Sequence, residues 1–230
     1  MSAAGSAERA GNDASLETLV AAGAASPVAG RHHSRLTPGG IAVTAGTPVD
    51  AESTARTTVV AVAIRDARGQ QLPAAAVTAT LEQAVADAIA DGRRVLLHRL
   101  DSSKTGLMAP AAGVLETLRQ RHADQVVTVV DAAQWRLGPD AVVDYLNQGA
   151  MVILTGSKFF TGPPFAGALL VPPALVQRVV GGGAVLPTGY APYTEPHSWP
   201  EALQGFCRSL TPRCDLGLLL RWWAALWQIE

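Results

Sequence analysis

The sequence has few cysteines, little net charge and no long apolar segment, and each shortage excludes a class of protein. Its two cysteines, Cys207 and Cys214, are too few for a disulfide scaffold and favour a reducing compartment, which we expect to be the cytoplasm. A net charge of −1 over 230 residues provides no basic surface for nucleic acid. The longest apolar run, 216–227, contains Arg221 and is shorter than the ~20 residues that cross a bilayer. We therefore expect neither a nucleic-acid partner nor a membrane partner.

Residues 1–15 lack the basic stretch and the hydrophobic stretch of a secretory signal, so the sequence predicts none. Hydrophobic residues make up 48% of the chain, which is enough to bury a substantial core. The histidines and cysteines lack metal-ligand spacing, so we expect no metal site. These features together predict a soluble, globular protein.

Strand patterns and helix patterns alternate along the chain. Val77, Leu81, Val85 and Ile89 recur at fourfold spacing, which predicts an amphipathic helix that ends at Gly92. Short apolar runs predict strands at 57–65, 94–98, 126–130, 151–155 and 167–171, and further helices are predicted from Pro110, at 139–149 and at 172–183. This alternation predicts an α/β fold, a three-layer sandwich with a mostly parallel sheet covered on both faces.

Polar segments follow three of the predicted strands. They are "DSSKTG" at 101–106, "DAAQ" at 131–134 and "TGSKFFTGPP" at 155–164. Ligands of such sheets bind beyond the carboxyl ends of the strands, so we expect the functional residues in these segments.

Asp131 and Lys158 are separated by one predicted helix and one predicted strand, so a single crossover can bring both to the same edge of the sheet. A cofactor with a basic ring nitrogen and an aldehyde needs both groups. The carboxylate keeps the ring nitrogen protonated, and the amine forms an imine with the aldehyde. A charge pair with the ring would also offset the desolvation of a carboxylate at the end of a buried strand.

The segments "DAAQ" and "TGSKFFTGPPFAGALLV" resemble the fold-type I pyridoxal-phosphate enzymes, in particular the class V aminotransferase and cysteine desulfurase group. The signature of that group is Asp-x-x-Gln or Asp-x-x-His after one strand. After the next strand come Ser/Thr-x-x-Lys, a Gly-Pro pair and then a strand of small residues. The resemblance implies pyridoxal 5'-phosphate as the cofactor, Lys158 as the catalytic Schiff-base lysine and Asp131 as the partner of the pyridine nitrogen.

The same resemblance implies roles for four further residues. Gln134 would bind the cofactor's phenolic oxygen or the imine, Thr155 and Ser157 would bind its phosphate, and Ser103 would lie beside its ring. The family usually has a histidine immediately before the lysine, where this chain has Ser157. An amino-acid-like substrate and a homodimer are further expectations from the family.

The resemblance covers residues 57 to about 180 and implies an incomplete version of the family's large domain. We expect a partly irregular segment at 1–56, the cofactor-binding core at 57–185, and a connection with the start of a C-terminal helical region at 186–230. The last helix is predicted over 215–230, with Asp215 as its N-cap and with tryptophans that pack against a domain or subunit outside the chain.

Two interpretations remain open. The first is a pyridoxal-phosphate enzyme acting on an amino acid or related amine, with transamination, desulfuration and elimination equally compatible with the residues. The second is a truncated, non-catalytic homologue that serves as a structural or interaction protein.

Overall fold

The computed structural model describes residues 42, 44, 47–51, 56–103, 105–164 and 166–227. Most of the segment predicted as partly irregular, 1–56, lies outside the described residues. Lys104 and the last three residues of the predicted C-terminal helix also lie outside them.

The chain divides into two compact units. Unit 1 contains Val59–Thr155 and Ala168–Leu170, and unit 2 contains the described residues before Val59, Gly156–Gly167 and 171–227. The boundary at Thr155 therefore falls inside 57–185, the segment predicted as one domain core.

The centre of unit 1 is a mostly parallel sheet whose strands are rich in Val, Ile and Leu. In the described part of the chain, four strands form one sheet in the order β1 (Val95–Leu100), β2 (Val126–Asp131), β3 (Met151–Thr155) and β4 (Gly167–Leu170). β1 pairs in parallel with β2, and β2 pairs in parallel with β3. The predicted α/β fold and mostly parallel sheet are confirmed. Val, Ile and Leu make up most of these strands, and β2 and β3 are buried along nearly their whole length, an environment in which such side chains pack well.

Among the described residues of unit 1, three helices precede or connect the strands: α1 (Ala74–Ala90), α2 (Ala112–Arg121) and α3 (Pro139–Asn147). The predicted apolar stripe of α1 is correct, since Val77, Leu81 and Val85 are buried. Gly92 follows the end of α1 with φ 72°, a left-handed conformation that glycine adopts without a steric penalty.

The register of the strands assigns side chains to two faces of the sheet. Leu97 is opposite Thr128, and Val130 is opposite Val152, so these residues share one face. This first face contributes to two apolar clusters, one with side chains of α1 and α2 and one with side chains of α3. The second face carries the alternate residues of each strand, which include Leu96, His98, Val129, Asp131, Ile153 and Thr155.

The strand predicted at 57–65 is wrong. Residues 57–63 form no strand, and Arg65 makes a single antiparallel bridge to Gln71. Val62 and Ile64 alternate with exposed residues and are buried in the cluster that also contains Leu97. The segment therefore has the side-chain pattern of a half-buried strand, but it does not join the sheet that the described residues form.

Unit 2 contains α4 (Pro173–Gly181), three 3-10 segments (Thr188–Tyr190, Pro196–Ser198 and Glu201–Leu203) and α5 (Leu216–Trp227) among its described residues. Leu186, Cys207 and Leu210 form its buried cluster, with Trp199 and Phe206 packed against it. Asp215 caps α5 as predicted, because its Oδ1 accepts a hydrogen bond of 2.8 Å from the backbone N–H of Leu218.

Candidate functional site

The carboxyl ends of β1, β2 and β3 collect polar side chains in unit 1. Asp131 is the last residue of β2, Thr155 is the last residue of β3, and Ser103 lies in the loop that follows β1. All three are buried, with Asp131 only 8% exposed. The backbone N–H of Asp101 donates to the carbonyl of Asp131 at 3.0 Å, which joins the loop after β1 to the end of β2. The structure thus brings Ser103, Asp131 and Thr155 to one edge of the sheet, as the sequence predicts.

The carboxylate of Asp131 is oriented by the turn that it starts. Its Oδ1 accepts a hydrogen bond of 2.9 Å from the backbone N–H of Ala133. The backbone N–H of Trp135 then donates to the carbonyl of Ala132 at 2.8 Å and closes the turn. Gln134 lies half-buried on this turn. Asp131 and Thr155 are both on the second face of the sheet, at the carboxyl ends of neighbouring strands.

The hydroxyl of Ser103 is engaged within its own loop. Its Oγ accepts hydrogen bonds from the backbone N–H groups of Leu107, at 2.9 Å, and Thr105, at 3.2 Å, and it shares a further hydrogen bond of 2.9 Å with the hydroxyl of Thr105. The carbonyl of Ser103 accepts a hydrogen bond of 3.3 Å from the guanidinium of Arg136. A hydroxyl has two acceptor positions and one hydrogen, so a ligand beside Ser103 would compete with Thr105 for that hydrogen.

A second polar cluster lies on the first face of the sheet and was missed by the sequence analysis. The hydroxyl of Tyr145 donates to Oδ1 of Asp101 at 2.8 Å, and the guanidinium carbon of Arg99 lies 5.5 Å from the centroid of the Tyr145 ring. Arg99 also donates to the carbonyl of Pro110 at 3.1 Å. Burial, followed by the hydrogen bond to Asp101, raises the pKa of the Tyr145 hydroxyl.

The side chains of Arg99 and Tyr145 lie on the other face of the sheet from the carboxylate of Asp131, although the backbone of Asp101 is hydrogen-bonded to that of Asp131. Arg99 lies on the helix-covered face, whereas Asp131 lies on the second face. A crevice beside Tyr145, lined also by Arg119, Thr128 and Gln148, has room for about one water molecule. The cluster therefore supports the packing of α3 on the sheet, and it is not a pocket for a cofactor. Arg99, a charged residue within a buried strand, was the signal in the sequence that identifies it.

His98 lies within β1, on the second face. The sequence placed it at a strand end, but β1 continues to Leu100. The side chain is 2% exposed, and its Nδ1 has no hydrogen-bond partner among the described residues. Burial lowers the pKa of His98 from 6.5 to about 4, so the imidazole is neutral at pH 7.

In unit 2, the predicted lysine lies on a closed loop. The backbone N–H of Gly162 donates to the carbonyl of Gly156 at 2.9 Å, which joins the two ends of the segment 156–162. Thr161 has φ 53°, and its backbone N–H donates to the carbonyl of Lys158 at 3.1 Å. These bonds fix the backbone of the loop on both sides of Lys158.

The loop rests directly on α5. A Cβ atom added at Gly162 would lie 2.7 Å from the Cβ of Ala225, and one added at Gly156 would also collide with Ala225. Ala225 is fully buried, and the indole N–H of Trp222 donates to the carbonyl of Gly167 at 3.2 Å. Glycine is therefore required at both ends of the loop, because the backbone approaches α5 too closely for any side chain.

The side chains of the loop differ in exposure. Lys158 and Phe159 are exposed, Ser157 is half-buried, and the rings of Phe159 and Phe160 make an edge-to-face contact with centroids 5.5 Å apart. The predicted site residues thus fall into two sets. Ser103, Asp131, Gln134 and Thr155 belong to unit 1, and Ser157 and Lys158 belong to unit 2.

Among the described residues, no helix is long and apolar enough to span a bilayer, and no group of three or more His, Cys, Asp or Glu side chains is arranged to hold a metal ion. Comparisons of the chain with protein-family models, with curated proteins and with solved structures gave no match. Any assignment of function consequently depends on the residues themselves and on the resemblance of their motifs.

Proposed function

We propose that the chain is the cofactor-bearing part of a pyridoxal 5'-phosphate enzyme that acts on an amino acid or a related amine. The α/β unit would be an incomplete, three-layer large domain of the class V aminotransferase and cysteine desulfurase type, working in the cytoplasm. The observation that carries the proposal is the position of Asp131, a buried carboxylate at the end of a parallel strand, where such sheets bind ligands.

The residues present fit the chemistry of this cofactor. Asp131 supplies a buried, oriented carboxylate, since its Oδ1 is held by the N–H of Ala133. Such a carboxylate stabilises a proton on a ring nitrogen, because opposite charges at close range favour the charged form of each. Thr155 offers a hydroxyl at the end of the neighbouring strand, and Ser157 offers another two positions later, so both suit an anionic phosphate.

Lys158 would hold the cofactor through its amine. Its exposed side chain is accessible both to the cofactor and to an incoming substrate amine. The fixed backbone of the loop limits the positions that this amine can reach, which favours one attachment geometry. Gln134 would donate from its amide to the cofactor's phenolic oxygen, and Ser103 would contribute a contact beside the ring.

The bound cofactor supplies an electron sink for the bond that breaks at the substrate's α-carbon. The residues of the chain itself would bind and orient the cofactor and the substrate, and they would transfer protons. Asp131 would keep the ring nitrogen protonated, and the amine of Lys158 would accept and return the proton at that carbon. These residues are common to transamination, desulfuration and elimination.

A non-catalytic role in protein interaction is the second candidate, and two observations favour it. The hydroxyl of Ser103 is already engaged within its own loop, and α5 exposes several large apolar side chains. A protein that kept the fold without the chemistry would have both features.

Reduction with borohydride tests the proposal. The chain contains two lysines, Lys104 and Lys158, so Lys104→Ala is a matched control for Lys158→Ala. We expect the protein purified with pyridoxal phosphate to acquire a visible absorption band that borohydride removes, with the reduced cofactor found by mass spectrometry on the peptide containing Lys158. Lys158→Ala should abolish the band, whereas Lys104→Ala should keep it.

Asp131→Asn tests the proposed role of Asp131 as the partner of the cofactor's ring nitrogen. This variant should weaken cofactor binding on the order of 100-fold, because loss of one partner from a buried pair leaves the other charge uncompensated. A protein that stays colourless at millimolar cofactor, or a label that survives Lys158→Ala, would reject the enzyme and favour the interaction protein.

A further inference from the structure

The loop that follows β1 is held together by its own backbone hydrogen bonds. At its base, the N–H of Leu100 donates to the carbonyl of Ala109 at 2.8 Å, and the N–H of Ala109 donates to the carbonyl of Leu100 at 3.1 Å. Further along, the N–H of Ser103 donates to the carbonyl of Leu107 at 2.8 Å. Because the loop is bonded to itself in this way, its position at the edge of the sheet depends on the contacts that attach it to its neighbours.

Asp101, the first residue of the loop, attaches it to two elements at once. Its backbone N–H donates to the carbonyl of Asp131, at the end of β2, over 3.0 Å. Its carboxylate belongs to the polar cluster on the first face, where Oδ1 accepts a hydrogen bond of 2.8 Å from the hydroxyl of Tyr145 on α3. A single buried residue therefore links a tyrosine on the helix-covered face to the main chain of the candidate site.

Tyr145 is also close to the turn that follows β2. Its ring packs against the apolar cluster that contains Ala132, the residue directly after Asp131, and Trp135 of the same turn packs against this cluster too. The hydroxyl of Tyr145 thus serves the loop that carries Ser103, and its ring serves the cluster beneath the turn that carries Asp131.

Removal of the Tyr145 hydroxyl would take this donor from the buried carboxylate of Asp101. A buried acceptor that loses its donor is unfavourable enough to change a local equilibrium by roughly 10- to 100-fold. The carboxylate would regain a partner by turning toward water. Because the same residue carries the N–H that is bonded to Asp131, this rotation would disturb the backbone contact between the loop and β2.

We propose that Tyr145 is a positioning residue for the candidate site and acts through Asp101 from the opposite face of the sheet. Its hydroxyl holds Asp101, and Asp101 fixes the loop against the main chain of Asp131. Ser103 and the carboxylate of Asp131 are thereby kept in place relative to each other. The use of this arrangement for pyridoxal phosphate rests on the proposed function, whereas the arrangement itself is present without a ligand.

NMR of the full chain without cofactor tests this proposal. Tyr145→Phe keeps the ring and removes the hydroxyl, so the amide hydrogen of Asp101 should exchange about 10-fold faster, or more, relative to the other amides of β1. The amide resonance of Ala133 should also shift, because this N–H is bonded to Oδ1 of Asp131. The control is Val85→Ala, which removes buried methyl groups from α1. It should leave the resonance of Ala133 in place and should not single out the amide of Asp101.

Variants of Asp101 separate positioning from general stability. Asp101→Asn keeps an oxygen that accepts from the Tyr145 hydroxyl, so it should stay close to the wild type in both signals. Asp101→Ala should reproduce the exchange and the shift seen in Tyr145→Phe. The double variant Tyr145→Phe/Asp101→Ala should be no more perturbed than Asp101→Ala, because both substitutions break the same hydrogen bond. Circular dichroism establishes that each variant is folded.

Titration with pyridoxal phosphate adds a measurement on the loaded protein. Tyr145→Phe should weaken cofactor binding about 10-fold, and Val85→Ala should not. Signals in Tyr145→Phe that match those of Val85→Ala, additive effects in the double variant, or a Tyr145→Phe protein that binds the cofactor as tightly as the wild type would each overturn the proposal. A wild-type chain that binds no cofactor would reject the proposed function instead, and the exchange and shift data would still decide the role of Tyr145.

Discussion

We expect mild acid to destabilise unit 1 through His98. The imidazole is buried and its pKa is lowered from 6.5 to about 4, so the folded state binds a proton less readily than the unfolded state does. For a group of this kind, stability is fully present above the unfolded pKa and is lost as the pH falls. The loss begins near pH 6.5, grows through the interval and levels off below about pH 4.

The size of this loss of stability follows from the pKa values of His98 in the unfolded and folded states. Each pH unit in this interval removes about 1.4 kcal/mol of the free energy of unfolding, so the full effect is about 3 kcal/mol. This amount is a large fraction of the 5–15 kcal/mol that typically stabilises a small domain. Carboxylates titrate in the same range, so the effect of His98 has to be measured as a difference between variants.

Urea denaturation of the wild-type protein and of His98→Leu at pH 7, 6, 5 and 4.5 isolates the contribution. The difference in unfolding free energy between the two proteins should change by about 2–3 kcal/mol in favour of the variant as the pH falls. His197→Gln is the control for the loss of an imidazole, because His197 is exposed, and it should not reproduce the change of about 2–3 kcal/mol expected for His98→Leu. Parallel pH profiles for the wild type and His98→Leu would refute the argument from burial.

Three further predictions concern individual side chains. Cys214 is exposed, whereas Cys207 is buried, and its pKa is raised by that burial and then by a nearby carboxylate. Iodoacetamide should therefore modify only Cys214 in the native protein and both thiols in guanidinium, as counted by mass spectrometry. Gly162→Ala should reduce the unfolding free energy by about 1–3 kcal/mol in urea denaturation, because the added methyl would overlap the backbone of the loop. Gly167→Ala should have a much smaller effect, because a Cβ at Gly167 meets nothing within 4 Å. Tyr145→Phe should cost about 1–3 kcal/mol in the same assay, because its buried carboxylate partner loses a donor, and an unchanged midpoint would contradict that hydrogen bond.

The local features of the fold were predictable from the sequence. The strands at 94–98, 126–130 and 151–155 were predicted within two residues of their bounds, because short apolar runs bounded by helical patterns have few alternatives. The segment 57–65 has the same composition but forms no strand. Whether a backbone finds a pairing partner depends on residues distant in the chain, and a local pattern does not carry that information.

The candidate site also combines local features, which the sequence predicts, with contacts between distant residues, which it does not predict. The position of Asp131 at a strand end follows from the sequence, since the strand before it and the turn after it are local. The pairing of Tyr145 with Asp101 joins a helix to a distant loop, and the contact of Gly162 with Ala225 joins a loop to the last helix. Neither contact has a signature in the local spacing of residues, so both became visible only with the fold.

The closeness of the Lys158 loop to α5 has a mechanical consequence. Two glycines bring the backbone of the loop against a single methyl group, so no flexible side chain lies between them to absorb a displacement. A rotation or translation of α5 would consequently move the loop backbone, and with it the point from which the lysine side chain extends. Any molecule that shifts this helix would therefore change the reach of the amine without touching the loop itself.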